Sequence, residues 1–326
     1  MKKMLFLICA ILFTNSLVLA QQYFGLNGFQ YRVIDNGSVA VWNCYNNQDT
    51  VIIPDVVTFN NVKYTVVEIA QGAFMWRDDI ISVIIPNTVT SIGQSAFQEC
   101  ENLSSVVMPN SITNIGNWAF TYCPNLTSFT IPDSVKHIGA AIFGGCTNLT
   151  TLDYNARNCN GVSVGTYHPF SYSSISTINI GDDVEKIPEN FLYDMDNITT
   201  INFSNNITHI GKKAFAYYDG FTTLNLPDSI TYIGEEAFLE CDNLSSITLT
   251  NNLTYIGIGA FKGCGSLNSI TIPNNVTRID DEAFEDCINL NSVDFLTNNL
   301  TYIGDGAFKN CTSLNTFVVP NSVDSL

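Results

Sequence analysis

From Ile80 onward the apolar positions fall into one recurring phrase. A representative copy is Leu103-Ser-Ser-Val106-Val-Met108-Pro109-Asn-Ser-Ile112-Thr-Asn-Ile115-Gly116-Asn-Trp-Ala119-Phe120-Thr-Tyr-Cys123. Its first stretch, Leu-x-x-Val-x-Met-Pro, alternates apolar and polar residues as a half-buried strand does, and Pro ends it. Ile-x-x-Ile-Gly predicts a second, shorter extended piece, closed by a Gly suited to positive φ. Ala-Phe-x-x-Cys then brings the chain around, through a turn or short helix whose Phe points inward.

The first apolar residue of the phrase stands at Ile80, Leu103, Leu126, Leu149, Ile175, Ile198, Phe221, Leu244, Leu267, Leu290 and Leu314, and eight of these ten spacings are 23 residues. One coil cannot bury its apolar face alone. The period therefore predicts a solenoid of about eleven coils that stack and share one core.

The rest of the chain departs from the period. Lys2 and Lys3 precede an apolar run from Met4 to Phe13, and Val18-Leu19-Ala20 suits cleavage before Gln21. Residues 1–20 thus read as a secretory signal peptide, too short to span a bilayer. Residues 21–63 read as a β-rich N-terminal cap, with a hairpin signal at Asn27-Gly28, and residues 64–326 as the solenoid. The last copy stops before its Gly and Ala-Phe, so it reads as an incomplete repeat, from a truncated chain or an open, fraying coil. Between Leu149 and Phe170 the phrase gains four residues. That irregular insertion, over 153–170, is either a binding loop or a decayed repeat.

Over roughly residues 50–326, Leu-x-x-Ile-x-Ile-Pro-x-x-Val-x-x-Ile-Gly-x-x-Ala-Phe-x-x-Cys resembles the leucine-rich repeat of BspA-like bacterial surface proteins, the Treponema-type repeat. Ser111 and Ile112 stand nine and ten residues into the Leu103 copy, where the common leucine-rich pattern has Asn or Cys at nine and Leu at eleven; the usual asparagine ladder is not expected. The resemblance implies an α/β repeat solenoid, a right-handed leucine-rich-repeat horseshoe with a parallel β-sheet. It also implies export, and for some members adhesion to matrix proteins such as fibronectin and fibrinogen.

Composition narrows the chemistry. Thirteen basic residues face 30 acidic ones, a net charge of −17, and loss of Lys2 and Lys3 would make it −19. Phosphate recognition needs clustered Lys and Arg, so nucleic acid is not an expected partner. There are three His and no Gly-x-Ser-x-Gly, His-Glu-x-x-His, Cys-x-x-Cys or phosphate-cradling loop. The chain reads as non-enzymatic, without metal or cofactor. No second apolar stretch is long enough to span a membrane, which leaves a secreted or cell-surface product.

Seven cysteines, Cys100, Cys123, Cys146, Cys241, Cys264, Cys287 and Cys311, share one repeat position. They read as buried thiols rather than disulfides, since parallel Cβ vectors suit the S–S torsion poorly. Cys44 and Cys159 lie outside this ladder, and their pairing stays open. The sequons at Asn102, Asn125, Asn148 and Asn243 recur with the phrase and read as turn residues.

Two surface columns are binding candidates. The outward residue before each central strand position is Ser or Thr in every copy, from Ser82 to Thr316. Together with the next outward column it offers Thr151, Asp153, Thr177, Asn179, Thr200, Asn202, Thr223 and Asn225 on the expected concave face: a hydroxyl and amide lattice, or residues that simply suit a pleated sheet. A second stripe precedes the Ile of Ile-Gly, where Tyr232, Tyr255, Arg278 and Tyr302 could stack on one another or meet a ligand. The function read from these features is an exported, non-enzymatic adhesin or interaction solenoid that holds a host or matrix protein on its sheet face. A glycan-binding module, or a scaffold segment of a longer surface protein, is the alternative.

Overall fold

A computed structural model describes residues 23–161, 167–296, 299–316 and 318–324; the signal-peptide reading falls on residues 1–20, outside them. Six strands precede the regular coils: β1 (Tyr23–Leu26), β2 (Phe29–Val33), β3 (Ser38–Cys44), β4 (Thr50–Ile52), β5 (Val56–Phe59) and β6 (Val62–Ile69). Asn27 and Gly28 close the β1–β2 hairpin with φ of 51° and 81°, as a tight primed turn requires. β2 pairs antiparallel with β3, and β5 with β6, while β3 and β6 run parallel. Strand β6 serves both regions: Glu68 and Ile69 at its end pair with Ser91 and Ile92 of the first coil. Strand β4 likewise pairs with Ser82–Ile84, Thr50 opposite Ser82. The sheets of the N-terminal region thus continue into the solenoid.

Each coil has three sides. Longer strands, from Ser82–Ile84 to Ser292–Phe295, pair parallel in the register of the repeat, Thr151 opposite Thr177 opposite Thr200. Two-residue strands form the second side as two parallel ladders, Ser91–Ile92 to His137–Ile138 and Lys186–Ile187 to Tyr302–Ile303. Where Pro ends a longer strand it opens a turn, as in Val89 N–H to Pro86 C=O at 3.1 Å and Val276 N–H to Pro273 C=O at 3.2 Å. The solenoid is as expected, and the third side, left open between turn and short helix, is made of turns. No helix occurs among the described residues, so the α part of the α/β class has no counterpart there.

Hydrogen bonding explains that choice. On this turn side alternate amides point to the next coil: Ser95, Phe97 and Glu99 donate to Asn117, Ala119 and Thr121, each at 2.8 Å. The intervening Ala96 and Gln98 donate back to Gly93 and Ser95. A helix would direct every amide along its own axis and leave no bond between coils. The alternation instead puts two residues per regular coil in the left-handed region, Ser95 and Glu99 (φ 53° and 58°), then Trp118 and Tyr122 (56° and 57°), and so on to Asn310, while the irregular coil has Tyr172 alone. Left-handed backbone costs an L-residue about 1–2 kcal/mol. Here the bonds to the next coil offset it.

The Ile-Gly glycine corrects an expectation. It does not adopt positive φ; it is there because coils touch. A Cβ on Gly93 would lie 2.5 Å from Gln71 N, and one on Gly257 would lie 2.7 Å from the carbonyl carbon of Gly234. Behind it runs the core. Phe rings stack from Phe74 to Phe143 with centroids 4.8–6.0 Å apart, and again from Phe215 to Phe308 at 5.1–5.3 Å. Between the stacks, Phe170 and Phe191 meet edge-on at 85°, and this is the irregular coil.

Candidate functional site

Eleven strands, β4 and the ten longer coil strands, each open with Ser or Thr. Thr50 is a member the 23-residue spacing missed, because 32 residues separate it from Ser82; its signal was the strand-like Thr50-Val-Ile-Ile-Pro54. Thr316, at the other end, is not in a strand. Six of the eight candidates share one sheet in the expected register, Thr151–Thr177–Thr200 beside Asp153–Asn179–Asn202, while Thr223 and Asn225 lie on a separate two-stranded sheet, opposite Ser246 and Thr248. Thr151, Asp153, Thr177 and Asn179 are half-buried, and Thr200, Asn202, Thr223 and Asn225 are exposed. Asn179 Nδ2 donates to Asp153 Oδ1 at 2.8 Å, and Asn202 Nδ2 to Asn179 Oδ1 at 2.7 Å. This amide chain orients three side chains and leaves Asn202 with an acceptor oxygen facing outward. Ile52 (62% exposed) and Val107 (51%) extend the same column at its N-terminal end.

The second stripe is also assembled, from Lys186 and His209 through Tyr232, Tyr255 and Arg278 to Tyr302. Its groups are largely spent on one another. Tyr232 and Tyr255 stack at 4.8 Å and 9°, Tyr232 also packs on His209, and Arg278 lies 3.9 Å from the Tyr302 ring centroid. The Tyr255 hydroxyl and Arg278 Nε both donate to Asp280, and the Tyr302 hydroxyl to Asp281 at 3.2 Å. Burial, then the bond to Asp280, pushes the Tyr255 hydroxyl well above its ordinary pKa. Asp280 occupies the Gly position of the phrase, and there its carboxylate ties two members of the stripe.

The cysteine ladder consists of free thiols, and Cys44 and Cys159 are also free. All seven ladder thiols donate to a Phe carbonyl of the preceding coil at 3.0–3.1 Å. Tyr218 fills the same place and donates to Ile198 C=O at 2.5 Å. Burial pushes the Cys100 thiol up to about 12 and the Cys311 thiol up to about 11, so these groups stay protonated donors and are poor nucleophiles. The Asn of the sequons works in the turns as well: Asn102 Nδ2 donates to Asp78 C=O at 2.6 Å and Asn243 Nδ2 to Asp219 C=O at 3.1 Å.

In the insertion, Arg157 pairs with Asp133 (3.3 Å) and Asp183 (2.7 Å). It borders a cleft of about 620 Å³ shared with Asp182, Glu185, Lys186 and Asn206. His168 is buried, its Nε2–H donating to Phe191 C=O (2.9 Å) and its Nδ1 accepting from Phe170 N–H (3.2 Å). That pairing holds the neutral ring, and burial pulls its pKa down to about 4. Among the described residues no three His, Cys, Asp or Glu side chains cluster as metal ligands, and no helix is long and apolar enough to cross a membrane.

The turn side was not singled out in the sequence. In the C-terminal coils it carries ion pairs: Lys212–Glu235 (2.8 Å), Lys213–Glu236 (2.9 Å), and Glu285 held by Lys262 and Lys309, both at 2.5 Å. Those two lysines pull the Glu285 carboxyl down to about 2.

Comparison with known proteins agrees with this geometry. The family described as "BspA type Leucine rich repeat region" matches residues 67–166, 158–221 and 208–326, in six copies. Among solved structures, a leucine-rich repeat protein from Bacteroides ovatus is 26% identical, with 92% of this chain and 83% of that chain covered and a TM-score of 0.55. A leucine-rich repeat protein from Eubacterium ventriosum is 18% identical (92% and 91% covered, TM-score 0.46). A leucine-rich cell surface protein from Faecalibacterium prausnitzii is 23% identical (90% and 93% covered, TM-score 0.36). No protein of curated function matches the chain.

Proposed function

The chain belongs to the BspA-type leucine-rich repeat family, and from that premise we propose that it is an exported, non-enzymatic interaction protein, secreted or held at the cell surface. It binds a host or matrix protein of the fibronectin or fibrinogen kind on the outward face of its longer strands. The contact residues are Thr151, Asp153, Thr177, Asn179, Thr200, Asn202, Thr223 and Asn225.

One observation supports this reading above the others: eleven strands each open with a hydroxyl residue, and in the four-stranded sheet from Ser128–Ile131 to Thr200–Asn202 the Asp153–Asn179–Asn202 chain runs beside that column. Such a surface is ordered before binding, offers donors and acceptors at the strand repeat of about 4.8 Å, and loses little side-chain entropy on contact. The tyrosine stripe is less suited to the role, because Tyr232 and Tyr255 already stack on each other and the Tyr255 and Tyr302 hydroxyls already have partners. The test is binding of the purified protein to immobilised fibronectin and fibrinogen at two salt concentrations. Saturable binding that Thr177→Lys with Thr200→Lys abolishes is the expected result. Binding unchanged in that variant would move the site elsewhere, and no binding to either protein would remove both candidates.

A further inference from the structure

We propose that the turn side carries a binding groove for a neutral oligosaccharide, walled by Trp118 and Tyr122 on one side and Tyr172 on the other, over a floor of Ala141, Gly144 and Gly145. The groove spans about 740 Å³, within the ~300–1,000 Å³ of ordinary ligand clefts. It exists because one coil is bare. Where the preceding coil places Trp118, Thr121 and Tyr122 on this side, the next places Ala141, Gly144 and Gly145. The Tyr122 ring leans into the space, so close that a Cβ on Gly145 would meet its Cδ1 at 2.5 Å. Tyr122 is 57% exposed and Tyr172 is 72% exposed, and Tyr172 is braced edge-on by Tyr167 at 5.6 Å. Large rings held out toward water by a rigid backbone are unusual outside contact surfaces.

The lining selects the ligand class. In a chain of net charge −17 it contains no ionised side chain, which disfavours charged ligands of either sign. Its polar members are the carboxamides of Gln71, Gln94 and Gln98 and the hydroxyls of Ser95 and Thr121. The Thr121 hydroxyl already donates to Ala141 C=O at 2.7 Å and Gln98 Nε2 to Glu99 Oε1 at 3.1 Å, so Gln71 and Gln94 are the main polar contacts for a ligand. Each carboxamide offers a donor and an acceptor together, which matches neighbouring sugar hydroxyls, while the rings match the C–H faces of pyranoses. Ser95 is only 4% exposed, at the base of the lining. A peptide strand would need free main-chain groups, but the floor has used its amides. Gly144 donates to Ala141 at 3.2 Å and Gly145 to Tyr172 at 2.9 Å, and the Gly144 carbonyl accepts from Tyr122 N–H at 2.7 Å.

The experiment is calorimetric titration of the full protein with maltotetraose, cellotetraose and tetra-N-acetylchitotetraose, beside sialyllactose and decaproline as controls. At least one neutral tetrasaccharide binds saturably, and Gly144→Lys weakens it roughly tenfold or more by filling the floor. That variant should fold, because a Cβ at Gly144 has its nearest neighbours at 3.6 Å; thermal melting checks it. Trp118→Ala weakens binding similarly, while Tyr232→Ala with Tyr255→Ala leaves it unchanged. The proposal is overturned if none of the three tetrasaccharides binds, if sialyllactose or decaproline binds more tightly, or if folded Gly144→Lys binds as the parent does.

Discussion

The turn side of the N-terminal coils and that of the C-terminal coils share one backbone and carry opposite chemistry. Trp118, Tyr122, Ala141 and Gly145 hold the same left-handed positions as Glu236, Glu240, Gly259 and Gly263. Tyr122 leans over Gly145 as Glu240 leans over Gly263, where a Cβ would meet the Glu240 carboxyl carbon at 2.5 Å. Only the residue after the Phe differs in consequence: Gly144 leaves a groove, while Lys262 fills the space and pairs with Glu282 and Glu285. The lesson is that main-chain bonds between coils secure the turn, so its side chains are free to vary. A left-handed position normally reserved for Gly can then hold Trp, Tyr, Glu or Lys, and the coil's surface chemistry is written there.

Acid should separate the two regions most strongly. The folded pKa of His168, about 4, lies below its ordinary 6.5, so between those values the unfolded chain holds more protons. Stability of the irregular coil therefore falls as pH drops from 6.5 to 4, by up to about 3 kcal/mol, and protonated Nδ1 can no longer accept from Phe170. Glu285 shifts the same way but in a lower window: its carboxyl lies below the ordinary 4.5, so its contribution is present above pH 4.5 and lost as pH falls toward 2. Solvent access to its lysines limits that contribution to under about 1 kcal/mol. Hydrogen exchange should show residues 167–198 losing protection near pH 5 while residues 257–311 keep theirs; simultaneous loss would contradict this.

Gly116→Ala should cost about 2–3 kcal/mol, because its Cβ meets the backbone of Gln94 and Gly93 at 2.5–2.6 Å and neither coil can yield. Urea unfolding followed by circular dichroism measures it. Converting the C-terminal turn into the N-terminal kind is milder. Lys262→Gly removes two ion pairs for about 1 kcal/mol, opens a second hollow, and lets the Glu285 carboxyl rise, as a carboxyl-resolved NMR titration would detect. The smallest effect belongs to Gly144→Ala, within about 0.5 kcal/mol of the parent and stabilising if anything, since nothing lies closer than 3.6 Å to the new Cβ. A large loss there would mean the groove floor is under strain that its geometry does not show.

The coil period, the inward Phe, the hydroxyl column and the tyrosine stripe were legible in the residues, because each depends on a local rule: side chains alternate along a strand, and a 23-residue repeat carries that alternation from coil to coil. The same rule sets Thr177 opposite Thr200, and it misses Thr50 only where the spacing breaks. It misread the Ile-Gly glycine, whose reason is backbone in the neighbouring coil rather than its own φ. Nor could it show that each thiol answers a Phe carbonyl one coil back, or that Asp280 ties Tyr255 to Arg278. The groove belongs to this second class. Tyr122, Gly145 and Tyr172 lie in successive coils and share no sequence motif; they meet because stacking sets them side by side, and the space between them is set by which side chain the middle coil omits. Sequence alone determined the repeat and the direction each column faces. Which atoms touch across coils, and where they leave room, was decided by tertiary packing, since contact depends on the neighbouring coil's backbone and side-chain volume, which a repeat's spacing does not specify.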